Sequence, residues 1–529
     1  MTHLASKPSG YEESGPRSGR LVHRFLEDSA DRSPDKTALV CEGKRWTYLQ
    51  LEEQANRVAH ALAELGVKRG DRVGLCLRNS VEAVTGIFGI LKAGAVFVPL
   101  NATIKRDKLE YILNNCQASA LLFDVRTSAQ ELLIAEDQPV PSLKGAVSTG
   151  RPPGGATQWR RPVLEGGELP SRFPASRRKP VNIDLDLACL IYTSGTTGDA
   201  KGVMSDHANV VFASGSIIEY LGMLASDTIL NVLPLSFDYG LYQLLMTFRV
   251  GGTLILENSF AYPAVILNLL AKERVTGFPG VPTLFEILLR LDLAAYDLSH
   301  LRFLTNTAAA LPPSRVLDLR QRFPQARVFS MYGLTETKRT LYLPPEWLDQ
   351  KPGSVGIAIP GTEVWIEDEA GNRLAAGQTG ELVARGRHVM RGYWQAEEAT
   401  RRRFPPGPVP GERICRTGDL FRMDEEGCFY FVARKDDVIK SRGEKVAPKE
   451  VENVIYSLPG VREAAVVGVP DPILGQAVKA LIVRDTPDLT APAVLAHCRA
   501  NLEDFMVPKH VEFRDSLPKT EWARSPERS

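Results

Sequence analysis

The chain changes its pattern of apolar and polar positions along its length. From Leu21 to about Arg126, helical periodicity alternates with short apolar runs. Ala55 to Leu65 predicts a helix, Val73 to Leu77 a strand, and Ala83 to Ala93 another helix. Leu187 to Ile191 predicts a buried strand. The alternation then continues to about residue 350, with Thr253 to Leu256 as a strand and Thr283 to Leu291 as a helix. Such alternation predicts parallel α/β layers. From Gly353 to Phe431 short strands with glycine turns take over (Glu363 to Glu367, Gly380 to Arg385, Gly427 to Val432), predicting a β-rich subdomain. Beyond residue 436 come helices at Pro448 to Leu458 and Ala491 to Leu502, with strands at Glu463 to Val469 and Val478 to Val483. They predict a small α+β domain. Ala135 to Pro180, rich in Pro, Gly, Ser and Arg, is expected to be a partly disordered surface excursion, and residues 1–20 a disordered terminus. The expected organisation is therefore 1–20, a large domain over 21–434, and a small domain over 435–529.

A chain of 529 residues is long enough for two or more domains with large cores. Basic residues number 64 against 63 acidic, which leaves no electrostatic footprint for nucleic acid. No apolar run is as long as a membrane span, and the polar first twenty residues lack the apolar core of a secretory signal. Seven cysteines without metal-site spacing point to reduced thiols in a cytoplasm, and the histidines show no paired spacing for zinc.

Three segments carry candidate chemistry. The first is Ile191 to Gly202, a strand end followed by Thr193, Ser194, Gly195, Thr196, Thr197, Gly198 and Lys201. Its glycines let backbone N–H groups close on an anion, the hydroxyls add donors, and Lys201 adds charge for a polyphosphate. It lacks the frame of a Walker loop. The second is Met331 to Thr337, following the strand Arg327 to Ser330. Its Glu336 reads either as a Mg2+ ligand beside Thr335 and Thr337 or as a solvated acid on a turn; Tyr332 next to Gly333 could stack on a flat base. The third pairs Asp419, in Arg416-Thr417-Gly418-Asp419, with Arg434. It reads as a ribose clamp or as a surface salt bridge.

In this order and spacing the three segments resemble the AMP-forming adenylating superfamily of acyl-CoA synthetases, aryl-CoA ligases, luciferases and peptide-synthetase adenylation domains. The resemblance runs from about Leu21 to Thr520. In Ser236 to Leu241, and in Tyr332 to Glu336 with Tyr342 to Glu346, its texture is closest to the acyl-CoA ligase-like group associated with exosortase systems. The resemblance implies activation of a carboxylic acid by ATP as an acyl-adenylate, then transfer to the thiol of CoA or of a carrier-protein phosphopantetheine. It also implies that Thr193 to Lys201 holds the phosphates and that Thr196 and Glu336 assist Mg2+. Tyr332, Asn306, Thr307 and Ala308 would wall the base, and Asp419 and Arg434 would hold the ribose. A hinge falls at Asp436, from which a small mobile C-terminal domain rotates. Lys440 and Gly443 would then face the site, Gly443 beside the pantetheine tunnel. Any carrier is expected to act in trans rather than as a fused domain.

Departures from the family pattern are informative. Ala200, Ala433 and Thr307-Ala308 replace residues that are commonly Pro, Gly and Gly-Gly. At the C-terminus Ala523-Arg524 stands where the family has Gly-Lys, the lysine that bridges carboxylate and phosphate in adenylation. Three readings follow: an altered gene end, an arginine that works in place of lysine, or a protein impaired in adenylation that serves mainly in binding or in the thiol step. The acid pocket is expected from Asp238, Tyr239, Gly240, Asn306, Thr307 and Tyr332. Asp238 in a Ser-Phe-Asp setting suits an amino-acid ammonium, whereas Tyr239-Gly240 suits other carboxylates. Lys338-Arg339 reads as a solvated basic pair or as a site for an anionic group of substrate, CoA or carrier.

Overall fold

Strand-forming runs of apolar residues give sheets buried on both faces, and the intervening amphipathic helices cover them. The computed structural model describes residues 20–135, 137–150, 159–193, 200–307, 311–435, 437–441, 444–471 and 475–517. These residues form four sheets.

The first sheet has nine strands. Their spatial order is Ile357–Ala358, Leu341–Tyr342, Arg327–Tyr332, Phe303–Asn306, Gly277–Gly280, Thr228–Asn231, Thr253–Leu256, Thr37–Cys41 and Lys44–Thr47. The six from Arg327–Tyr332 to Thr37–Cys41 run parallel. The second sheet has seven strands, with Leu187–Thr193 and Lys201–Asp206 as an antiparallel hairpin at one edge. The two sheets sandwich helices Val81–Lys92 and Asp238–Val250, whose Phe88 and Phe248 rings stack at 5.6 Å. Ser80 caps the first of these by accepting from Ala83 N at 3.1 Å. Its buried Lys92 ties it to Glu27 and Glu52 of the two preceding helices at 2.5 and 2.8 Å.

A third, four-stranded antiparallel sheet (Glu363–Glu367, Thr379–Arg385, Cys415–Met423, Phe429–Arg434) is the expected β-rich part. The fourth sheet and helices Pro448–Tyr456 and Ala491–Asn501 enclose a separate core of Ile439, Val446, Val451, Ile455, Val466, Ile482 and Val494. The architecture is thus α/β, with a large N-terminal part and a small α+β C-terminal part.

The stretch 135–180 differs from expectation. Gly145–Thr149 and Val163–Glu165 extend the seven-stranded sheet in parallel, and Arg177 bonds Asp31 and Glu52. The buried Ala146 and Val147 supply enough apolar surface for an edge strand despite the polar composition around them. Residues 1–19 lie outside the described residues.

Candidate active site

The hairpin places Thr193 directly opposite Lys201, so the two flank the mouth of the hydroxyl-rich loop. Ser194, Gly195, Thr196, Thr197 and Gly198 lie outside the described residues. The segment after the third sheet's second strand closes over this hairpin. Trp394 N donates to Gly202 O at 2.7 Å, and Arg391 N to Met204 O at 3.0 Å. Tyr393 is thereby brought to Lys201, whose ammonium lies 5.8 Å from the centre of its ring.

Glu336 is buried on the loop after Arg327–Tyr332. It accepts a 2.6 Å hydrogen bond from the Tyr393 hydroxyl. Burial and the Glu336 carboxylate both push the Tyr393 phenol well above its usual range, so the phenol remains a donor. Burial works against the charge of nearby Arg403, but Cys415, Glu336, Tyr393 and Tyr332 more than offset it. Tyr393 and Arg403 were missed by the motifs. The only trace of Tyr393 in the sequence is the Arg391-Gly392-Tyr393-Trp394 turn, which carries no chemical signature on its own.

At the same loop's entry, the second cluster forms around Tyr332. Its hydroxyl donates to Asp419 Oδ2 at 2.6 Å, and its ring meets Phe421 edge-on at 4.8 Å. Asp419 pairs in register with Arg434, whose Nε lies 3.8 Å from Asp419 Oδ1. Burial pushes the Asp419 carboxyl above its usual range, opposed by the Tyr332 hydrogen bond and by Arg434 and Arg403. Arg434 is largely exposed and able to reach a ligand. Asn306 ends the neighbouring strand, in register with Ser330, and Thr307 follows it; both are buried. Ala308 lies outside the described residues.

The acid side departs from expectation. Lys338 and Arg339 are not a solvated pair: they are 1% and 4% exposed. A Cβ on Gly333 would overlap the Lys338 carbonyl, so only glycine admits this close turn. Lys338 itself has φ +63°, a left-handed conformation that turns the chain inward. Its ammonium lies 2.9 Å from Asp238 Oδ1, at the first turn of helix Asp238–Val250. Asp238 therefore already holds an internal cation where an amino-acid ammonium was one expectation. Tyr239 is buried, with its hydroxyl bonded to Thr305 O at 2.7 Å. Gly240 packs against the Pro234 carbonyl, where a Cβ would overlap backbone. Thr335 and Gly333 are half-buried on the same loop.

Lys440 lies on Ile439–Ser441 of the C-terminal sheet. Asp436, Gly443 and Arg524 lie outside the described residues. Glu336 also suits a magnesium site. Mg2+ takes one or two carboxylates plus phosphate oxygens and water rather than an all-protein cage. The described residues show no cluster of three or more metal-binding side chains, but a lone buried carboxylate meets that need.

The match to known proteins spans nearly the whole chain. Residues 26–394 match the model of the AMP-binding enzyme family, and residues 450–523 that of the AMP-binding enzyme C-terminal domain. A long-chain-fatty-acid–CoA ligase of Escherichia coli O157:H7 is 34% identical over 531 aligned positions, covering 94% of this chain and 92% of that relative. The crystal structure of the anthranilate CoA ligase AuaEII in complex with anthranoyl-AMP superposes with a TM-score of 0.85 at 28% identity, covering 94% of each chain. ATP-bound MatB from Rhodopseudomonas palustris gives 0.84 at 29% identity, covering 95% of this chain and 96% of that one. The chain belongs to the AMP-binding enzyme family and is an ATP-dependent, AMP-forming acid–thiol ligase.

Proposed function

We propose that the two hydrogen-bonded clusters on the loop 332–340 are the nucleotide end of this ligase. The observation that carries the reading is their pairing: Tyr332 to Asp419 and Tyr393 to Glu336, each at 2.6 Å. The first fixes an acceptor for ribose hydroxyls, with Arg434 beside it. The second fixes an acid next to Lys201 and the phosphate loop. A polyphosphate would lie between Thr193 and Lys201, with Ser194, Gly195, Thr196, Thr197 and Gly198 as further donors. The base would lie against Tyr332, Gly333, Asn306, Thr307 and Ala308. Glu336 and Thr196 would hold Mg2+, which supplies charge neutralisation to the phosphates when bound.

The chemistry these residues serve is an in-line displacement. A carboxylate oxygen of the acid bonds to the α-phosphorus as the bond to the bridging oxygen breaks, giving acyl-adenylate and pyrophosphate. A thiolate then attacks the acyl carbonyl carbon and AMP leaves with the bonding electron pair. Neither step needs a covalent protein intermediate, so positioning and charge carry the catalysis. Arg524 supplies the C-terminal cation in the first step. Lys440, Gly443 and the hinge at Asp436 serve the second, with CoA or a carrier phosphopantetheine as acceptor. All seven cysteines are free and buried, which suits a cytoplasmic enzyme.

The test is carboxylate-dependent exchange of labelled pyrophosphate into ATP, followed by AMP release on adding CoA or phosphopantetheine. Exchange with any acid that falls about 10²-fold in Lys201→Ala is expected. Exchange that is independent of acid, or unchanged in that variant, overturns the reading.

A further inference from the structure

Behind the nucleotide clusters the cationic and anionic side chains do not balance. Asp238 is one carboxylate, and Lys338 Nζ at 2.9 Å neutralises it. Arg339 adds a second buried cation. Its guanidinium lies 4.6 Å over the Tyr239 ring, and its one hydrogen bond runs from Nη1 to the Lys338 carbonyl at 3.3 Å. Among the described residues it has no ion pair, and its buried Nε has no hydrogen-bond partner. Two more buried polar atoms stand unpartnered, the Tyr242 hydroxyl and Thr307 Oγ1. Tyr242 is one helical turn from Asp238, and Lys338 Nζ lies 6.0 Å from its ring. Thr307 lies two residues beyond Thr305, which receives the Tyr239 hydroxyl.

A buried guanidinium without a counter-anion is costly, and so are orphaned hydroxyls. They are tolerable where a ligand completes them. Stacking on Tyr239 fixes the plane of Arg339, and a planar fork of donors matches a carboxylate in two parallel hydrogen bonds. We propose that Arg339 receives a second anionic group on the acid substrate, so that this ligase activates dianionic acids such as dicarboxylates in preference to monoanionic or amino acids. This rests on the ligase reading above. Lys338 has a distinct part: it occupies Asp238, so the substrate need bring no ammonium, and Arg339 is left as the unbalanced charge.

The test compares matched acids by pyrophosphate exchange: succinate, glutarate, adipate and isophthalate against butyrate, valerate, hexanoate and benzoate, with alanine and phenylalanine as amino-acid arms. The diacid of at least one pair is expected to exceed its partner by about 10²-fold in kcat/KM, because a site built to bond a polar group rejects the analogue that lacks it. Arg339→Met, of similar length, is expected to abolish that preference while the monoacid changes by less than about threefold; Arg339→Lys restores part of it. ATP binding in each variant shows that the fold survives. Monoacids or amino acids equal to or better than diacids in the parent protein would overturn the proposal and leave the ligase reading standing. Equal loss for both members of a pair in Arg339→Met would also overturn it. Silence with every acid sinks the ligase reading. Calorimetric titration of the ATP-bound protein with the same diacids then decides the proposal separately: binding lost in Arg339→Met supports it, and no binding refutes it.

Discussion

The Lys338–Asp238 pair offers the sharpest quantitative test of how the acid side is built. The Lys338 side chain is fully buried and that of Asp238 is 8% exposed. Lys338→Met removes the cation and leaves a buried carboxylate, which typically costs about 3–5 kcal/mol. An unfolding entropy of about 2.1 cal/mol/K per residue, applied to the family-matched residues 26–394, gives about 0.8 kcal/mol/K. The melting temperature of the large domain should therefore fall by about 4–6 °C. Asp238→Leu with Lys338→Met removes both charges and should recover most of that loss, since an ion pair replaced by apolar groups is often neutral. Lys338 also sits at φ +63°. Lys338→Gly should then melt about 1 °C above Lys338→Ala, because the glycine sheds about 1 kcal/mol of left-handed strain. Differential scanning calorimetry on the four variants measures all of this. A Lys338→Met protein melting within about 1 °C of the parent, or a double variant as unstable as the single, would refute the reasoning.

Three further outcomes follow from the nucleotide side. Tyr393→Phe removes the hydroxyl that orients Glu336 and should lower kcat/KM for MgATP about tenfold, the size of one hydrogen bond to a charged group; an unchanged Mg2+ titration of activity would remove Tyr393 from the site. Tyr332→Phe should shift the acid limb of kcat/KM for ATP to higher pH. Burial already raises the Asp419 carboxyl, so its ionised form is lost early as pH falls, and removing the hydroxyl that favours that form raises it further; an unmoved limb contradicts this. Ala523→Gly with Arg524→Lys should raise the exchange rate about tenfold while thioester formation from a pre-made acyl-adenylate stays constant; no change would mean that arginine already serves or that the tail does not reach the site.

What was legible in the sequence was local. Thr193 and Lys201, and likewise Asp419 and Arg434, face each other on adjoining strands, so residues that the sequence offered as candidates within one segment do come together. Glu336 was visible, but its donor Tyr393 lies 57 residues away and arrives through backbone bonds to Gly202 and Met204 that no periodicity announces. Lys338-Arg339 misled because two adjacent cations usually mark a solvated face. Here a glycine five residues earlier and a left-handed residue fold them under the helix Asp238–Val250. The edge strand Gly145–Thr149 was hidden for the opposite reason: five residues of strand are too few to stand out within a Pro, Gly and Arg-rich stretch.

The loop 332–340 ties these parts together. It leaves the C-terminal end of the parallel strand Arg327–Tyr332, the place where open α/β sheets bind ligands. At its start Tyr332 reaches the four-stranded sheet through Asp419. In its middle Glu336 reaches Tyr393, which the hairpin of the seven-stranded sheet holds. At its end Lys338 and Arg339 turn under the helix between the two large sheets. Three sheets thus meet on nine residues, with the proposed nucleotide side at one end and the proposed acid side at the other. Within it Gly333 and the Lys338 carbonyl approach so closely that a Cβ would overlap. Joining an acid to a phosphorus centre demands that both be held in one frame. A short loop anchored to three sheets would meet that demand for the residues that the large N-terminal part contributes.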